Sequence, residues 1–245
     1  MIIVNNSLEV RRLSLSQQDI HVWLAYLPTI VDKQTYWQSI LSSNELERAN
    51  KFKFLRDRNQ FVAGRGILRC LLSYYLGQCP QSIEIVYGPY GKPSLLGEAS
   101  LHFNLSHSKA CVLYAFSLNY KVGVDIEYIE QDLGTNQIAA QLLSIQDQKK
   151  FQMLSTEERV NAFFKMWVCQ EAFLKATGKG WISNDNLLLM YNQAFMEEEA
   201  QDSAIEKRTP LLYYFECIPG YASALYREES AKIHHYFYED FCKYI

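Results

Sequence analysis

One short run of alternating apolar and acidic residues, Gly123-Val124-Asp125-Ile126-Glu127, has the pattern of a β-strand with both acids on one face. Residues two apart on a strand point to the same side, so the two carboxylates would lie about 6–7 Å apart along it. Mg²⁺ prefers oxygen ligands and takes few carboxylates, while water and substrate phosphate complete its shell. Glycine leaves room on the same face. The run predicts a divalent-cation site, although a strand with a polar outer face gives the same pattern.

A helical stretch further along the chain supplies a third acid and a cation. Its apolar arc, at about 100° per residue, consists of Phe163, Met166, Trp167, Phe173 and Leu174. Glu171 and Lys175 flank this arc, four residues apart. They are either an ordinary surface ion pair, worth a few tenths of a kcal/mol, or a third metal oxygen beside a phosphate-binding cation. Gln170 lies inside the arc, so we expect it to be shielded and to have a partner.

Two polar segments upstream have residues suited to phosphate. Residues 87–93 form a turn with two glycines and two prolines, and residues 103–108 follow after a short interval. Glycine lets backbone N–H groups approach a phosphate closely, and Lys92, Ser106 and His107 can donate hydrogen bonds to its oxygens. Taken singly, the first segment is equally a hairpin turn, and His107 is equally a structural histidine.

A basic stretch occupies residues 48–69, with Phe52, Phe54 and Phe61 interleaved. Its cations are Arg48, Lys51, Lys53, Arg56, Arg58, Arg65 and Arg69. Basic residues among aromatics can indicate nucleic-acid binding. Because the whole chain carries a net charge of -3, a solvated helix face that lends one or two cations to a phosphorylated small molecule is the better interpretation.

Periodicity places these residues on two similar sets of elements. The first set is a helix over residues 60–76, ended by Gly77, and strands over residues 83–87, 101–103 and 111–116. The second is a helix over residues 159–177, ended by Gly178, and strands over residues 187–191, 211–217 and 223–226. Loops are predicted at residues 132–137 and 197–202. The doubled order predicts two similar α+β subdomains with a site at their seam, although any α+β protein could show such an order by chance.

Composition excludes several classes of protein. Of the 245 residues, 49% are hydrophobic, which is ample for a core, and the formal charge does not suit nucleic acid. No apolar run approaches the roughly 18 residues that span a bilayer, and the first residues do not resemble a signal peptide. Six dispersed cysteines, among them Cys169, lack metal or redox spacing. We expect a cytoplasmic protein with reduced thiols, no membrane contact and no catalytic cysteine.

Taken in order, four blocks resemble the 4'-phosphopantetheinyl transferases of the surfactin-synthetase (Sfp) type, which have a similar length. The resemblance runs from about Leu46 to the strand after Gly220. The blocks are the basic helix leading into Gly64-Arg65, the turn Gly91-Lys92-Pro93 with residues 104–108, the strand from Gly123 to Glu127, and Trp167-x-x-x-Glu171-x-x-x-Lys175 followed by Gly178-Lys179-Gly180.

The resemblance implies a monomeric α+β fold of two pseudo-symmetric subdomains, each an antiparallel sheet with a long helix. Residues 1–121 would contact coenzyme A, and residues 122–245 would carry the metal ligands and the catalytic helix. The implied reaction is Mg²⁺-dependent transfer of 4'-phosphopantetheine from coenzyme A to a serine of an apo acyl or peptidyl carrier protein, with release of 3',5'-ADP. Such holo-acyl-carrier-protein synthases serve fatty-acid, polyketide or nonribosomal-peptide synthesis.

The resemblance also implies roles for individual residues. Asp125, Glu127 and Glu171 would bind Mg²⁺, and Lys175 would contact phosphate near the reacting centre. Glu127 is the first candidate for the general base and Lys175 the second. The implied coenzyme A contacts are Arg48, Tyr87, Gly91, Lys92, Pro93, Asn104, Ser106, His107, Asp125, Glu171 and Lys175. Among them, Arg48 and Lys92 would lie near the 3'-phosphate, and His107 at the phosphates.

The sequence departs from the family pattern beside the metal site. The family's helix usually has lysine before the glutamate, whereas this chain has Gln170; Glu47 and Asn50 also stand where relatives have lysine. Two alternatives therefore stay open. One is a noncatalytic relative that binds coenzyme A or a carrier protein, and the other is a Mg²⁺-dependent nucleotide phosphohydrolase.

Overall fold

The computed structural model describes residues 13–29, 33–97, 100–131, 139, 143, 145–178, 212–228 and 231–241. The described strands are β1 Asp19–Tyr26, β2 Ile85–Tyr87, β3 Pro93–Leu95, β4 Leu101–Ser108, β5 Cys111–Leu118, β6 Val122–Tyr128, β7 Leu212–Phe215, β8 Tyr221–Arg227 and β9 Lys232–Phe237. The described α-helices are α1 Gln34–Ile40, α2 Ser43–Asn50, α3 Leu55–Leu76, α4 Ile145–Met153, α5 Thr156–Thr177 and α6 Tyr238–Phe241. Within these residues, no helix has the length and apolar character needed to cross a membrane.

Two long helices of 22 residues each, α3 and α5, are the matching elements of the two halves. Both end at the predicted glycine, Gly77 or Gly178, which adopts a left-handed conformation with φ of 66° or 64°. The glycine N–H donates to the carbonyl four residues back in each case. Both helices begin earlier than predicted. A capping box at Ser155 and Glu158 starts α5, and the polar first turn of α3 lacks the apolar period used for the prediction.

The strands form three sheets. A four-stranded sheet has the order β4-β5-β1-β9, a three-stranded sheet has the order β6-β8-β7, and β2 and β3 form a hairpin. The pairs are antiparallel except β1 with β9, which is parallel. Strand β9 comes from the end of the chain and returns to the first sheet. The predicted strand at 187–191 and the predicted loops at 132–137 and 197–202 lie outside the described residues.

Three apolar clusters fill the interior. One lies between α3 and the four-stranded sheet, and the second lies between α5 and the three-stranded sheet. The third joins the two sheets and includes Ile20, Val22, Leu24, Leu113, Val124, Ile126 and Leu225. Each such side chain contributes about 1.5–3 kcal/mol on burial. This third cluster holds the two halves together. The α+β fold with a long helix and a sheet in each half is confirmed, while the division at residue 121 stays a prediction.

Candidate functional site

The seam between the two halves is lined by polar side chains of β4, which is an edge of the first sheet. Asn104, Ser106 and Ser108 alternate along one face of β4. The Asn104 side-chain oxygen accepts a hydrogen bond of 2.9 Å from the Val124 N–H of β6. The strand predicted from the sequence ends at residue 103, whereas β4 continues to Ser108. Its second part was missed because polar side chains there form hydrogen bonds to the second sheet, so the segment has no apolar alternation.

Two serines of this row hold the two acids of β6. Ser106 Oγ lies 2.7 Å from Asp125 Oδ1, and Ser108 Oγ lies 2.8 Å from Glu127 Oε2. Lys175 Nζ donates to Ser106 Oγ at 2.8 Å, and the Tyr128 N–H donates to Ser108 Oγ at 3.0 Å. Each serine therefore accepts one hydrogen bond, and its own hydrogen is directed to the carboxylate.

The carboxylate of Asp125 is the most constrained group of the site. Its side chain is 1% exposed, and its Oδ1 accepts from both Ser106 and Lys175, the latter at 2.6 Å. Its Oδ2 is buried and has no hydrogen-bond partner in the described part of the chain. A buried carboxylate oxygen without a partner is costly, so Oδ2 is a candidate ligand atom for a cation.

Helix α5 reaches the acidic strand by direct backbone contact. A Cβ at Gly123 would lie 2.0 Å from the Ala172 carbonyl oxygen and 2.5 Å from the Ala176 nitrogen. The room that this glycine leaves is therefore taken by the helix. Glu171 and Lys175 precede these two alanines in the chain, so the close approach brings both side chains to the carboxylates of β6.

The three acids share one electrostatic environment. Burial is the largest cause that raises the pKa of Glu127, and Asp125 and Glu171 add to it against the opposing effects of Ser108 and Lys175. Burial also raises the pKa of Glu171, with Lys175 opposing and Asp125 reinforcing the shift. The described residues contain no group of three or more acidic, histidine or cysteine side chains that could hold a metal as they stand. Mg²⁺ takes few carboxylates and completes its shell with water and phosphate oxygens, so the three acids need not converge on one point for this donor set to fit it.

A cavity of about 450 Å³ opens beside these groups. It is lined by most of the predicted coenzyme A contacts, namely Gly91, Lys92, Pro93, Asn104, Ser106, His107, Glu171 and Lys175. Arg48, Tyr87 and Asp125 are not among the lining residues. Burial, followed by repulsion from Lys175 and Arg65, lowers the pKa of His107. The cavity thus combines a cationic wall with the acidic strand behind it.

The β2–β3 hairpin connects the cavity to the end of α5. Gly91 has a φ of 78°, and its N–H donates to the Gly88 carbonyl at 2.9 Å. Lys92 Nζ donates to the Ala176 carbonyl at 2.6 Å, which caps the last turn of the helix. Burial, with repulsion from Lys121, lowers the pKa of Lys92 to about 8. This lysine, predicted at a phosphate, here links the two halves.

Arg65 lines the same cavity and was not predicted as a contact. Its residue is 8% exposed, its Nη1 is buried, and its guanidinium has no hydrogen-bond or carboxylate partner among the described residues. Arg69 on the same helix is still more buried, at 1% exposed, but pairs with Glu45 at 2.7 Å. Because a buried cation without a counter-ion is costly, Arg65 indicates an anionic ligand. The sequence did offer one signal for this residue: Arg65 follows Phe61 by four positions on a helix, a spacing at which the two side chains are neighbours.

Gln170, the departure from the family pattern, is 4% exposed, which confirms that it is shielded. Its side-chain oxygen is buried without a partner in the described part of the chain, which differs from the expectation. The site therefore has a neutral amide beside Glu171, and the cations that face the cavity come from other positions.

Comparison with known proteins agrees with this geometry. Residues 28–118 match the family model for the N-terminal part of 4'-phosphopantetheinyl transferases, and residues 121–215 match the model of the 4'-phosphopantetheinyl transferase superfamily. The two models cover the two halves that meet at the cavity.

Individual relatives give the same family. The chain is 37% identical over 171 residues to the 4'-phosphopantetheinyl transferase HetI of Nostoc sp., covering 69% of this chain and 72% of the relative. It is 34% identical over 161 residues to a putative 4'-phosphopantetheinyl transferase of Synechocystis sp., covering 65% of each. Identity to the 4'-phosphopantetheinyl transferase Sfp of Bacillus subtilis is 24% over 204 residues, covering 81% of this chain and 87% of Sfp. The chain therefore belongs to the 4'-phosphopantetheinyl transferase superfamily.

Proposed function

We propose that this chain is an Sfp-type enzyme that transfers the 4'-phosphopantetheine group of coenzyme A to a serine of an apo carrier protein and releases 3',5'-ADP. The observation that supports this best is the state of Asp125. One of its oxygens is held by Ser106 and Lys175, while the other is buried and has no partner in the described residues. This arrangement lies behind a cavity with a cationic wall, as a pyrophosphate substrate would need.

We assign the Mg²⁺ ligands to Asp125, Glu127 and Glu171. Asp125 would offer Oδ2, and Glu127 would offer the oxygen that Ser108 does not hold. When bound, Mg²⁺ would neutralise charge that develops on the pyrophosphate. Lys175 is placed to stabilise the same charge, because its ammonium already lies at the carboxylate of Asp125.

The cationic wall supports coenzyme A as the substrate. Arg65 and Lys175 line the cavity as cations, and His107 lines it as a hydrogen-bonding group whose lowered pKa favours the neutral ring. Arg48 is proposed near the 3'-phosphate. Lys92 would have to leave the Ala176 carbonyl before it could contact a phosphate. The backbone of the hairpin turn, with Gly91, would line the nucleotide.

Glu127 is the preferred general base for the serine hydroxyl. Ser108 holds only one oxygen of this carboxylate, so Glu127 would take the proton directly or through a water on the metal. Lys175 is less suited, because its ammonium donates to both Asp125 and Ser106 and so serves as a cation. The attacking serine would come from an acyl or peptidyl carrier protein.

The test is an incubation of the protein with coenzyme A, Mg²⁺ and an apo carrier protein. Intact mass spectrometry should show a carrier heavier by one phosphopantetheine group, and chromatography should show an equal amount of 3',5'-ADP. Nucleotide release that does not need the carrier would indicate a phosphohydrolase. Binding of coenzyme A without any product would indicate a noncatalytic relative. The cytoplasmic location and the monomeric state stay predictions.

A further inference from the structure

Phe61, in the second turn of α3, contacts two arginines from different helices. The guanidinium carbon of Arg48, on α2, lies 5.3 Å from the centre of the Phe61 ring, and that of Arg65 lies 5.6 Å from it. Phe52 packs against the same ring with centroids 5.4 Å apart. Tyr87 provides a second ring for Arg65, also at 5.6 Å. One aromatic side chain thus contacts two cations, of which Arg65 lines the cavity.

The two guanidiniums differ in exposure. Arg65 Nη1 is buried and has no hydrogen-bond partner in the described part of the chain, whereas Arg48 is exposed to solvent. The face of an aromatic ring attracts a cation through its quadrupole, which partly replaces the water that Arg65 loses on burial. The ring does not neutralise the two positive charges, and two guanidinium groups held near each other repel. An anion bound between the two guanidiniums would remove this repulsion and would supply the partner that Arg65 Nη1 has not found among the described residues.

We propose that Phe61 is a positioning residue that holds Arg48 and Arg65 as a preformed pair for the phosphate monoester of coenzyme A. This inference rests on the proposed function. Lys175 and the carboxylates of β6 occupy the other part of the site, where the pyrophosphate would lie. A phosphate monoester carries close to two negative charges at neutral pH and matches two guanidinium groups, which bind phosphate oxygens through paired N–H donors.

The consequence concerns recognition of the substrate, since Phe61 does not touch the reacting atoms in this arrangement. Phe61→Leu keeps an apolar side chain beside Phe52 and removes both cation–ring contacts. Without the ring, binding of coenzyme A would have to order both arginines. The loss of two cation–ring contacts corresponds to about a tenfold loss of affinity for coenzyme A. We expect Phe61→Leu to bind coenzyme A about tenfold more weakly, to bind dephospho-coenzyme A within about twofold of the wild type, and to keep its kcat. Phe61→Tyr retains the ring and should bind both ligands like the wild type.

The experiment is calorimetric titration of both ligands into the full chain, with no carrier protein present. The matched control is Phe54→Leu, because Phe54 is 61% exposed and carries only Lys53 at 5.6 Å; it should change neither affinity. Selective loss of coenzyme A affinity in Phe61→Leu, restored in Phe61→Tyr, supports the proposal. Unchanged binding, or an equal loss for both ligands, overturns it.

Two further outcomes are separable. If the wild type modifies a carrier protein but Phe61→Leu keeps its affinity for coenzyme A, the role of Phe61 is wrong and the proposed function stands. If the wild type neither binds coenzyme A nor modifies a carrier, both fail. Melting curves identify a folding defect in Phe61→Leu, and the same titrations on Phe61→Met then decide the question.

Discussion

A methyl group at position 123 would separate the two elements that carry the proposed active-site side chains. In Gly123→Ala the new Cβ would lie 2.0 Å from the Ala172 carbonyl oxygen and 2.9 Å from the Ala176 Cα, whereas ordinary contacts of this kind begin at 3.4 Å. Both neighbours are backbone atoms of α5, so no side chain can rotate away. The helix must move outward by roughly 1 Å or more.

The displacement reaches Glu171 and Lys175, which lie on the same part of α5. A movement of roughly 1 Å in an active site can cost about 100-fold in rate, because catalytic groups must be placed within a few tenths of an ångström. Overpacking of a core usually costs about 1–3 kcal/mol in the free energy of unfolding. We therefore expect Gly123→Ala to transfer phosphopantetheine about 100-fold more slowly and to be destabilised by about 1–3 kcal/mol.

The assay measures the initial rate of carrier-protein modification and the chemical denaturation of the same samples. Gly64→Ala is the matched control, because Gly64 also lies in a buried helix segment but its Cβ would meet nothing closer than 3.9 Å. Alanine is a better helix former, so this control should gain up to about 1 kcal/mol and keep its rate. A Gly123→Ala protein with the rate and stability of the wild type would refute the packing argument.

Two further predictions concern the serine row and a buried histidine. Ser108→Ala removes the hydrogen bond to Glu127 and should lower the transfer rate about tenfold, while Ser108→Thr keeps it; equal rates of all three proteins would contradict this role. Burial, aided by His234, lowers the pKa of His21 to about 4 from 6.5. As pH falls, the unfolded chain takes up this proton first, so the free energy of unfolding should fall by about 2 kcal/mol between pH 7 and pH 5. Denaturation curves check this, and His21→Gln should show a correspondingly weaker pH dependence.

Local signals allowed the two long helices to be predicted. Gly77 and Gly178 end the long helices where the sequence indicated, because a left-handed cap is a property of a few neighbouring residues. Pairing between distant strands has no such local signal. The parallel pairing of β9 with β1 joins residues more than 200 positions apart, and no pattern in either strand specified it.

The sequence allowed the acids and the lysine of the site to be predicted, but not the hydrogen bonds that hold them. Asp125, Glu171 and Lys175 are brought together as the doubled order of elements suggested. The hydrogen bonds of Ser106 and Ser108 depend on how two sheets meet, which the order of residues in one strand does not define. The environments of the arginines in the basic stretch could not be predicted from the sequence for the same reason.

In the sequence, the arginines of residues 48–69 looked alike, whereas the structure places them in different environments. Arg56 has a side chain that is 82% exposed, Arg69 has a buried ion pair, and Arg65 lines the cavity without a counter-ion among the residues that the structure describes. Only three-dimensional packing separates these environments, because each depends on partners from other elements. The role of Gly123 is a similar case, since the helix that fills its space lies about 50 residues later in the chain.

The most direct test of the central claim compares the wild type with Asp125→Ala and Asp125→Asn. Each protein is incubated with coenzyme A, Mg²⁺ and an apo carrier protein, and the intact mass of the carrier is recorded. We predict a gain of one phosphopantetheine group with the wild type and no gain with either variant, while all three proteins remain folded. Transfer by Asp125→Ala at the wild-type rate, or no transfer by the wild type, would contradict the account.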